Sequence, residues 1–310
     1  MTKSRRPLVS VIVPTRNEEQ NIKDCLEAIH RQTYRKSETI VVDGGSKDNT
    51  VSIALEKGAK VIYERPARGP ANARNIGAKS AHGEIMFFVD ADVILKKNTI
   101  TKLVEFMNKN KLDAVIPLTW IYPTKEFMPQ LYFAERLSSR LDLSPNFFKK
   151  EIFLKTKFDQ SLGVGEDVDI RERLNRVGAK IGFAKNVIAY HKEPNINKII
   201  SEAKWWGRTY PSLLKKGYVK VLASTIWIFV VASILPLLVL SKYFELASSI
   251  LFVILLIYLP YSIYKIAKSI RNGAKSEFAL LLPLFKIFKY SIFSFYILRG
   301  LIIKESFKGR

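Results

Sequence analysis

The sequence contains one cysteine, Cys25, and three histidines among its 310 residues. A single cysteine excludes internal disulfide bonds and cysteine-rich zinc clusters, and it fits a reducing compartment. The N-terminus shows no secretory signal peptide, because the basic segment MTKSRRP leads directly into an apolar, strand-like run. We therefore expect the N-terminal region to stay in the cytosol.

Acidic residues are scarce relative to basic ones: 28 Asp and Glu face 50 Lys and Arg, which gives a formal net charge of +22. A large part of this excess lies in the last third of the chain, which also holds the longest apolar runs. No recognisable nucleic-acid-reading motif accompanies the basic residues, which argues against a nucleic-acid partner. Basic residues that flank apolar runs instead indicate a membrane with an anionic face.

Two apolar runs, 219–240 and 246–264, are each long enough to span a bilayer. Basic residues crowd the outer ends of this pair rather than the short connection, so the positive-inside rule predicts a hairpin with both ends in the cytosol. A third apolar segment, 278–303, is interrupted by Pro283 and three basic residues. We expect an interfacial helix there rather than a third span, because a span would export the basic tail.

The first two-thirds of the chain alternate apolar, strand-like runs with helix-like segments. This alternation is typical of an α/β fold with a mixed, mostly parallel sheet. No glycine-rich loop follows the first strand, which argues against a dinucleotide-binding Rossmann domain. We expect an α/β domain over residues 1–215 and a membrane region over residues 216–310.

Polar residues stand at the ends of three predicted strands: Thr15 after the first, Asp43 at the end of the second and Asp90 after the central one. Open α/β sheets bind ligands beyond the carboxyl ends of their parallel strands, so these residues predict a nucleotide site. Asp43 is suited to accept hydrogen bonds from a base N–H or a ribose hydroxyl. Arg68 and Arg74 suit phosphate groups.

The central strand ends in Asp90-Ala91-Asp92. Two carboxylates one residue apart can hold a hard divalent cation that bridges to a diphosphate. The plainer interpretation is a strand followed by a polar turn. His191, at a later strand end, is either a structural histidine or a third metal ligand or phosphate contact.

Two further segments carry alternatives. The segment GVGEDVD begins a helix at Glu166 and Asp167, where carboxylates are stabilised in their ionised form. They either cap that helix or supply an ionised general base. The aromatic-rich, amphipathic segment 127–141 is either a core-facing helix, which we favour, or a surface that touches lipid.

Four ordered motifs together resemble the family 2 glycosyltransferases of the GT-A fold, over roughly residues 8–210. These motifs are SVIVPTRNEEQNI, VVDGGSKDNT, RGPANARNIGAKSAHGEIMFFVDADV and KFDQSLGVGEDVDIRERL. The resemblance implies inverting transfer of a sugar from a nucleotide diphosphate donor, with Mg²⁺ or Mn²⁺. It implies Asp167 as the general base beside Glu166. It also implies a donor site formed by Pro14, Thr15, Arg16, Glu18, Asp43, Gly45, Ser46, Arg68, Asn72, Arg74, Asp90, Ala91 and Asp92. The metal ligands would be Asp90, Asp92 and His191.

The same resemblance leaves the acceptor open. The polyprenyl-phosphate mannosyl and glucosyl synthases are relatives with membrane tails, but Ile94 stands where that subgroup carries Gln. We therefore expect a lipid-linked acceptor hydroxyl, with a polyprenyl (dolichyl) phosphate as the alternative and a non-catalytic membrane scaffold as the second alternative. The expected location is the cell membrane, with the catalytic domain in the cytosol.

Overall fold

The computed structural model describes residues 6–121, 126–138, 145–192, 196–215, 259–271 and 274–303. The chain divides into two compact units. The first consists mainly of the chain up to Tyr122 together with Leu143–Lys192, and the second of Pro123–Asp142 and Glu193–Phe307. This division differs from the boundary expected at residue 215, because two helices before that point belong to the second unit.

The first unit is an α/β domain. Its strands are β1 Val9–Thr15, β2 Ser37–Asp43, β3 Lys60–Tyr63, β4 Ile85–Phe88, β5 Val93–Leu95, β6 Ala114–Ile121, β7 Phe147–Lys149 and β8 Ile181–His191. Its helices are α1 Ile22–His30, α2 Thr50–Glu56, α3 Pro70–Ser80, α4 Thr99–Lys109, α6 Lys150–Thr156 and α7 Glu166–Arg176; α5 Phe127–Ser138, between β6 and β7, belongs to the second unit.

The eight strands form one sheet in the order β3-β2-β1-β4-β7-β6-β8-β5. Strands β3, β2, β1 and β4 are parallel to one another, and β6 is parallel to β8. Strand β7 is antiparallel to β4 and β6, and β5 is antiparallel to β8. The mixed, mostly parallel sheet confirms the fold class predicted from the sequence.

Strand β1 is buried on both faces, which explains its nearly continuous apolar sequence. Val11 and its alternate neighbours pack on the side of α1 and α4, and Ile12 packs on the side of α3. Helix α3 lies close to the sheet at Gly77, where an added Cβ would overlap Ile12 and press on Val42. Glycine at this position therefore sets how near α3 comes to the strand ends.

Three short elements escaped prediction from the sequence. Strands β5 and β7 have three residues each, and helix α6 has seven. Segments this short carry too few residues to show a period of 2 or 3.6. Strand β8, in contrast, is long and continuous, with 11 residues.

The second unit is helical in its described part. It contains α5, α8 Ile196–Lys215, a helix at 259–271, and helices Ser276–Leu280 and Leu282–Ile303. Helix α5 contributes Leu131 and Tyr132 to an apolar core that also contains Ile199 of α8 and Phe285. The core-facing interpretation of α5 is thus confirmed.

The predicted membrane segments are mostly outside the described residues. The first, 219–240, lies there entirely, and of the second, 246–264, only 259–264 are described, as the start of a helix. Across the helices that the structure does describe, none is long and apolar enough to cross a membrane.

Candidate active site

The ends of β1, β2 and β4 lie side by side at one edge of the sheet. Thr15 is paired in register with Asp43, and the backbone N–H of Gly44 donates to the Thr15 carbonyl over 2.9 Å. Beyond β4, the N–H of Val89 donates to the Ile12 carbonyl, so Asp90 follows directly at the same edge. The structure therefore brings the three predicted strand ends together.

The carboxylate of Asp43 shapes the loop that follows it. It is buried and accepts hydrogen bonds from the N–H of Gly45 over 3.0 Å and of Ser46 over 3.1 Å, as well as from the Ser46 hydroxyl. Gly45 has φ +80°, a backbone conformation that favours glycine. In this structure Asp43 thus holds the loop, and its predicted contact with the base or ribose stays a prediction.

The loops after β1 and β2 are joined by hydrogen bonds. The N–H of Asn17 donates to the Ser46 hydroxyl over 2.9 Å, and the N–H of Glu18 donates to the Thr50 hydroxyl over 2.8 Å. Arg16 is exposed, and the Glu18 carboxylate accepts from the Asn21 side chain. These bonds fix the loops that the prediction placed near the nucleoside.

Glu64 is a site residue that the sequence analysis missed. It follows β3, its side chain is buried, and its Oε1 accepts from the N–H of Arg68 over 2.9 Å and the amide of Asn72 over 2.6 Å. Its own N–H donates to the Asp43 carbonyl. The sequence does carry a signal for it, because Glu64 stands at a strand end as Asp43 does. It holds the loop that displays the exposed Arg68 side chain.

Arg74, on α3, joins the two acidic motifs. Its Nη2 lies 2.9 Å from Asp90 Oδ1, and its Nη1 lies 2.8 Å from Glu166 Oε1. The guanidinium also stacks over Phe158, 5.3 Å from the ring centroid. Two carboxylates thus hold the Arg74 side chain in this structure, and its predicted contact with a phosphate stays a prediction.

The charges in this group are strongly coupled. Burial raises the pKa of Glu166 above its ordinary value, and the positive charge of Arg74 works against that rise. Burial acts to lower the pKa of Arg74, but Asp90 and Glu166 outweigh it and raise the pKa above the usual value for arginine. Arg74 therefore stays charged and compensates the buried Glu166 carboxylate.

The three acids at the start of α7 have different surroundings. Glu166 contacts Arg74, and the buried Asp169 pairs with Arg173. Asp167 is half-buried, and its Oδ1 accepts a hydrogen bond from the N–H of Val168 over 3.0 Å. Glu166 and Asp169 thus each lie within hydrogen-bond distance of an arginine, and the role of Asp167 as the base stays a prediction.

Asp92 and His191 form a pair. Asp92 directly precedes β5, which pairs antiparallel with β8 so that Val93 lies opposite His191, and Asp92 Oδ1 lies 3.3 Å from His191 Nε2. Asp90, whose side chain is 51% exposed, turns instead to Arg74. Among the described residues, no group of three His, Cys, Asp or Glu side chains could hold a metal ion. Asp90 and Asp92 are close in sequence, and strand pairing brings His191 next to Asp92, but the three predicted ligands do not form one metal-binding cluster.

The contact between Arg74 and Glu166 leads to a stability prediction. Arg74→Met leaves the buried Glu166 carboxylate without its compensating charge, so we expect a loss of about 3–5 kcal/mol in unfolding free energy. Burial raises the pKa of Glu166 in the folded protein above its value in the unfolded chain. At a pH above the unfolded-state pKa, the ionisation of Glu166 therefore lowers the free energy of unfolding. The loss should therefore be larger at about pH 8 than at about pH 5.

Thermal unfolding of the full chain at several pH values measures this effect. The matched control is Arg176→Met, which removes an exposed arginine paired with Glu172 on the same helix as Glu166. Exposed pairs contribute only about 0–1 kcal/mol, so the control should stay near the wild type at every pH. Equal losses in both variants would contradict the assignment of Arg74 as the compensating charge.

Comparison with known proteins agrees with this geometry. The model of the family "Glycosyl transferase family 2" matches residues 10–157. The chain is 31% identical to glycosyltransferase AglE of Haloferax volcanii over 206 residues, which cover 61% of this chain and 68% of that protein. It is 36% identical to glycosyltransferase GlyG of Streptococcus pneumoniae over 114 residues, which cover 35% of this chain and 38% of GlyG.

A solved structure shares the fold at low sequence identity. The mannosyltransferase PcManGT from Pyrobaculum calidifontis, solved in complex with GDP-Man and Mn²⁺, superposes with a TM-score of 0.56 at 20% identity. The match covers 97% of this chain and 88% of that one. At this identity the likeness concerns the fold.

Proposed function

Because the chain belongs to glycosyl transferase family 2 and is a glycosyltransferase, we propose that it moves a sugar from a nucleotide diphosphate donor to an acceptor hydroxyl with inversion at the anomeric carbon. The observation that carries this proposal is the position of Arg74, which contacts both Asp90 and Glu166. These residues belong to motifs that are far apart in sequence. Their contact supports a single site in which donor-binding and acceptor-activating groups meet.

The donor would lie over the ends of β1, β2 and β4. Asp43 fixes the loop after β2 through the N–H groups of Gly45 and Ser46, and Glu64 fixes the neighbouring loop after β3, which carries Arg68. Beyond the carboxyl ends of parallel strands is where open α/β sheets bind nucleotides. The exposed side chains of Arg16 and Arg68 would contact the nucleotide and its phosphates there.

The aspartates of the D-x-D motif fit a hard divalent cation in their donor chemistry. Asp90 and Asp92 offer carboxylate oxygens, which Mg²⁺ and Mn²⁺ accept. Two carboxylates do not make a complete cage, and magnesium sites commonly take their remaining ligands from water and substrate phosphates. Such a cation, when bound, would offset the negative charge that develops on the diphosphate leaving group. PcManGT, which shares the fold, was solved with Mn²⁺ and GDP-Man.

The chain's own groups have separate tasks in this proposal. Asp167 takes the proton from the acceptor hydroxyl as its oxygen attacks the anomeric carbon from the face opposite the diphosphate. Glu166 is held by Arg74, so it orients the start of α7 rather than exchanging protons. His191, 3.3 Å from Asp92, holds that carboxylate in place, as groups around metal ligands commonly do.

We propose further that the acceptor is lipid-linked and that the enzyme acts at the cell membrane with its catalytic unit in the cytosol. Support comes from the second unit, where exposed Tyr261, Tyr264 and Phe288 accompany nearby lysines. Exposed aromatic side chains beside basic residues are typical of surfaces that meet a bilayer. A membrane-bound acceptor would also reach the site at high effective concentration.

Two alternatives make different predictions. A polyprenyl phosphate acceptor is already ionised and needs no general base, so Asp167 would matter little. A non-catalytic scaffold needs neither acidic motif to be intact. The retention of Asp90, Asp92, Glu166 and Asp167, with Asp90 and Glu166 joined through Arg74, favours the enzyme over the scaffold.

Nucleotide-sugar hydrolysis tests the proposal. The purified full chain is incubated with a panel of nucleotide diphosphate sugars, in Mn²⁺, in Mg²⁺ and in chelator, and the released nucleotide is measured. We expect one donor to be hydrolysed and the reaction to stop in chelator. Undiminished turnover in chelator would contradict the role of the cation, and absence of binding or turnover with every donor would contradict the donor class.

A further inference from the structure

The segment that connects α6 to α7 is attached to α3 near both of its ends. Near its start, the side-chain amide of Asn75 donates to the Phe158 carbonyl over 2.8 Å, and Asn75 Oδ1 accepts from the Phe158 N–H over 3.1 Å. At its end, Glu166 accepts a hydrogen bond from Arg74 over 2.8 Å. Arg74 and Asn75 are consecutive residues of α3, so two neighbouring side chains hold the segment 158–166.

The contact with Asn75 engages both backbone groups of Phe158. A side-chain amide carries a donor and an acceptor, as a peptide group does, so Asn75 satisfies the N–H and the carbonyl together. Lys157, the preceding residue, has φ +47°, an uncommon conformation for a residue other than glycine. Such a conformation persists where the surrounding contacts determine it. The two hydrogen bonds from Asn75 therefore fix the backbone where the chain leaves α6.

The ring of Phe158 is fixed as well. It is buried, and its centroid lies 5.3 Å from that of Phe88 and 5.6 Å from that of Phe153. The guanidinium carbon of Arg74 lies 5.3 Å from the same centroid. An aromatic ring attracts a cation that lies over its face. Phe158 thus gives the guanidinium a surface that its aromatic neighbours keep in place.

Arg74 is held by three contacts of two kinds. Asp90 and Glu166 each pair with one of its terminal nitrogens, and the ring of Phe158 contacts the guanidinium. The carboxylates determine where the N–H groups point, and stacking on a ring limits the rotation of the planar group. Only 13% of the Arg74 side chain is exposed. Its position is therefore set by these protein contacts.

We propose that Asn75 and Phe158 are positioning residues for the transfer of the sugar. Asn75 fixes the backbone of Phe158, and the ring of Phe158 holds the guanidinium of Arg74 between Asp90 and Glu166. Both residues act through Arg74, which sets the distance between the D-x-D motif and the start of α7. The consequence for catalysis rests on the proposed function, whereas the effect on the Arg74 side chain does not.

Steady-state kinetics of Asn75→Ala and Phe158→Leu tests the consequence for catalysis. The assay uses the full chain, a nucleotide-sugar donor and a native membrane extract as the source of acceptor. A displacement of about 1 Å among catalytic groups can lower a rate by roughly 10². We expect kcat to fall at least about tenfold in each variant. The KM for the donor should stay close to the wild-type value, because Asp90 and Asp92 are both retained.

Each variant has a matched control. Asn110→Ala removes a side-chain amide that also donates to a phenylalanine carbonyl, that of Phe106 at the end of α4, over 2.8 Å. Phe147→Leu removes a buried ring that packs edge to face on Phe87, in the apolar core on the other side of the sheet from Phe158. Both controls should keep the wild-type kcat, although Phe147→Leu lowers the unfolding midpoint.

Thermal unfolding at several pH values tests the position of Arg74 without a transferase assay. Burial raises the pKa of Glu166, Arg74 lowers it, and the adjacent Asp167 raises it. When the guanidinium is no longer held, the ionised Glu166 loses compensation, and stability falls above its unfolded-state pKa. We expect the midpoints of Phe158→Leu and Asn75→Ala to fall further at about pH 8 than at about pH 5. The midpoint of Phe147→Leu should fall equally at both.

Two results would overturn the proposal. A kcat of Phe158→Leu equal to that of Phe147→Leu would show that the ring only packs, and a loss of stability independent of pH would show that Arg74 keeps its place without it. If Phe158→Leu does not fold, Asn75→Ala, which leaves every aromatic ring in place, answers both questions. If the wild type transfers no sugar from any donor, the proposed function fails, and the unfolding experiment still decides whether Asn75 and Phe158 hold Arg74.

Discussion

Replacing Asp167 by Asn is expected to lower kcat by about 10²–10⁴, the usual contribution of a general base. The amide keeps the shape of the side chain but cannot take a proton from the acceptor hydroxyl. Donor binding should be nearly unchanged, because Glu166 and not Asp167 contacts Arg74. The loss should therefore appear in turnover rather than in the affinity for the donor.

Steady-state kinetics with a native membrane extract as the source of acceptor, together with donor binding by calorimetry, measures the two quantities separately. Glu172→Gln is the matched control, since Glu172 is an exposed acid on the same helix, paired with Arg176. Its kcat should equal that of the wild type. A drop of less than about tenfold for Asp167→Asn would exclude the hydroxyl acceptor and favour a polyprenyl phosphate, whose oxygen is already anionic.

Replacing Asp92 by Asn should lower metal-dependent turnover by at least about 10²-fold, the scale of losing one group that stabilises developing charge. An amide oxygen lacks the negative charge that holds a divalent cation and, through it, the diphosphate. Manganese binding, followed by electron paramagnetic resonance with the nucleotide diphosphate present, should weaken in the same variant. Activity should not be restored by raising the donor concentration alone.

The control for this substitution is Asp24→Asn. Asp24 is a half-exposed acid of the first unit whose partner is Lys192, so its replacement tests loss of one carboxylate outside the site. Circular dichroism and the unfolding midpoint show whether Asp92→Asn is folded, which matters because Asp92 is buried beside His191. Wild-type turnover and wild-type manganese binding in a folded Asp92→Asn protein would rule out Asp92 as a cation ligand.

Much of the first unit follows from sequence pattern. Strands β1, β2 and β4 are buried in a parallel arrangement, and burial on both faces requires continuous apolar runs that are easily recognised. Where such a run stops at a polar residue, the strand leaves the core. The pattern of apolar runs alone therefore places Thr15, Asp43 and Asp90 at one edge of the sheet, where the strand pairing confirms them.

Side-chain contacts between distant segments could not be predicted from the pattern of apolar runs. Arg74 lies 16 residues before Asp90 and 92 residues before Glu166, and nothing in its local sequence indicates that it joins them. His191 reaches Asp92 only because β5, three residues long, pairs antiparallel with β8. Side-chain directions of this kind depend on how helices and strands pack, and a local pattern carries no information about them.

The division of roles among acidic residues also came from tertiary structure. The sequence GEDVD placed Glu166 and Asp167 together at a helix start, and local chemistry makes both of them candidate bases. In the folded protein, Arg74 of α3 forms an ion pair with Glu166 at the start of α7. Asp167 is half-buried and lies outside that ion pair. Sequence composition and order thus determined which acidic residues were present, whereas the packing of distant segments decided which of them pairs with Arg74, because only packing sets distance and burial.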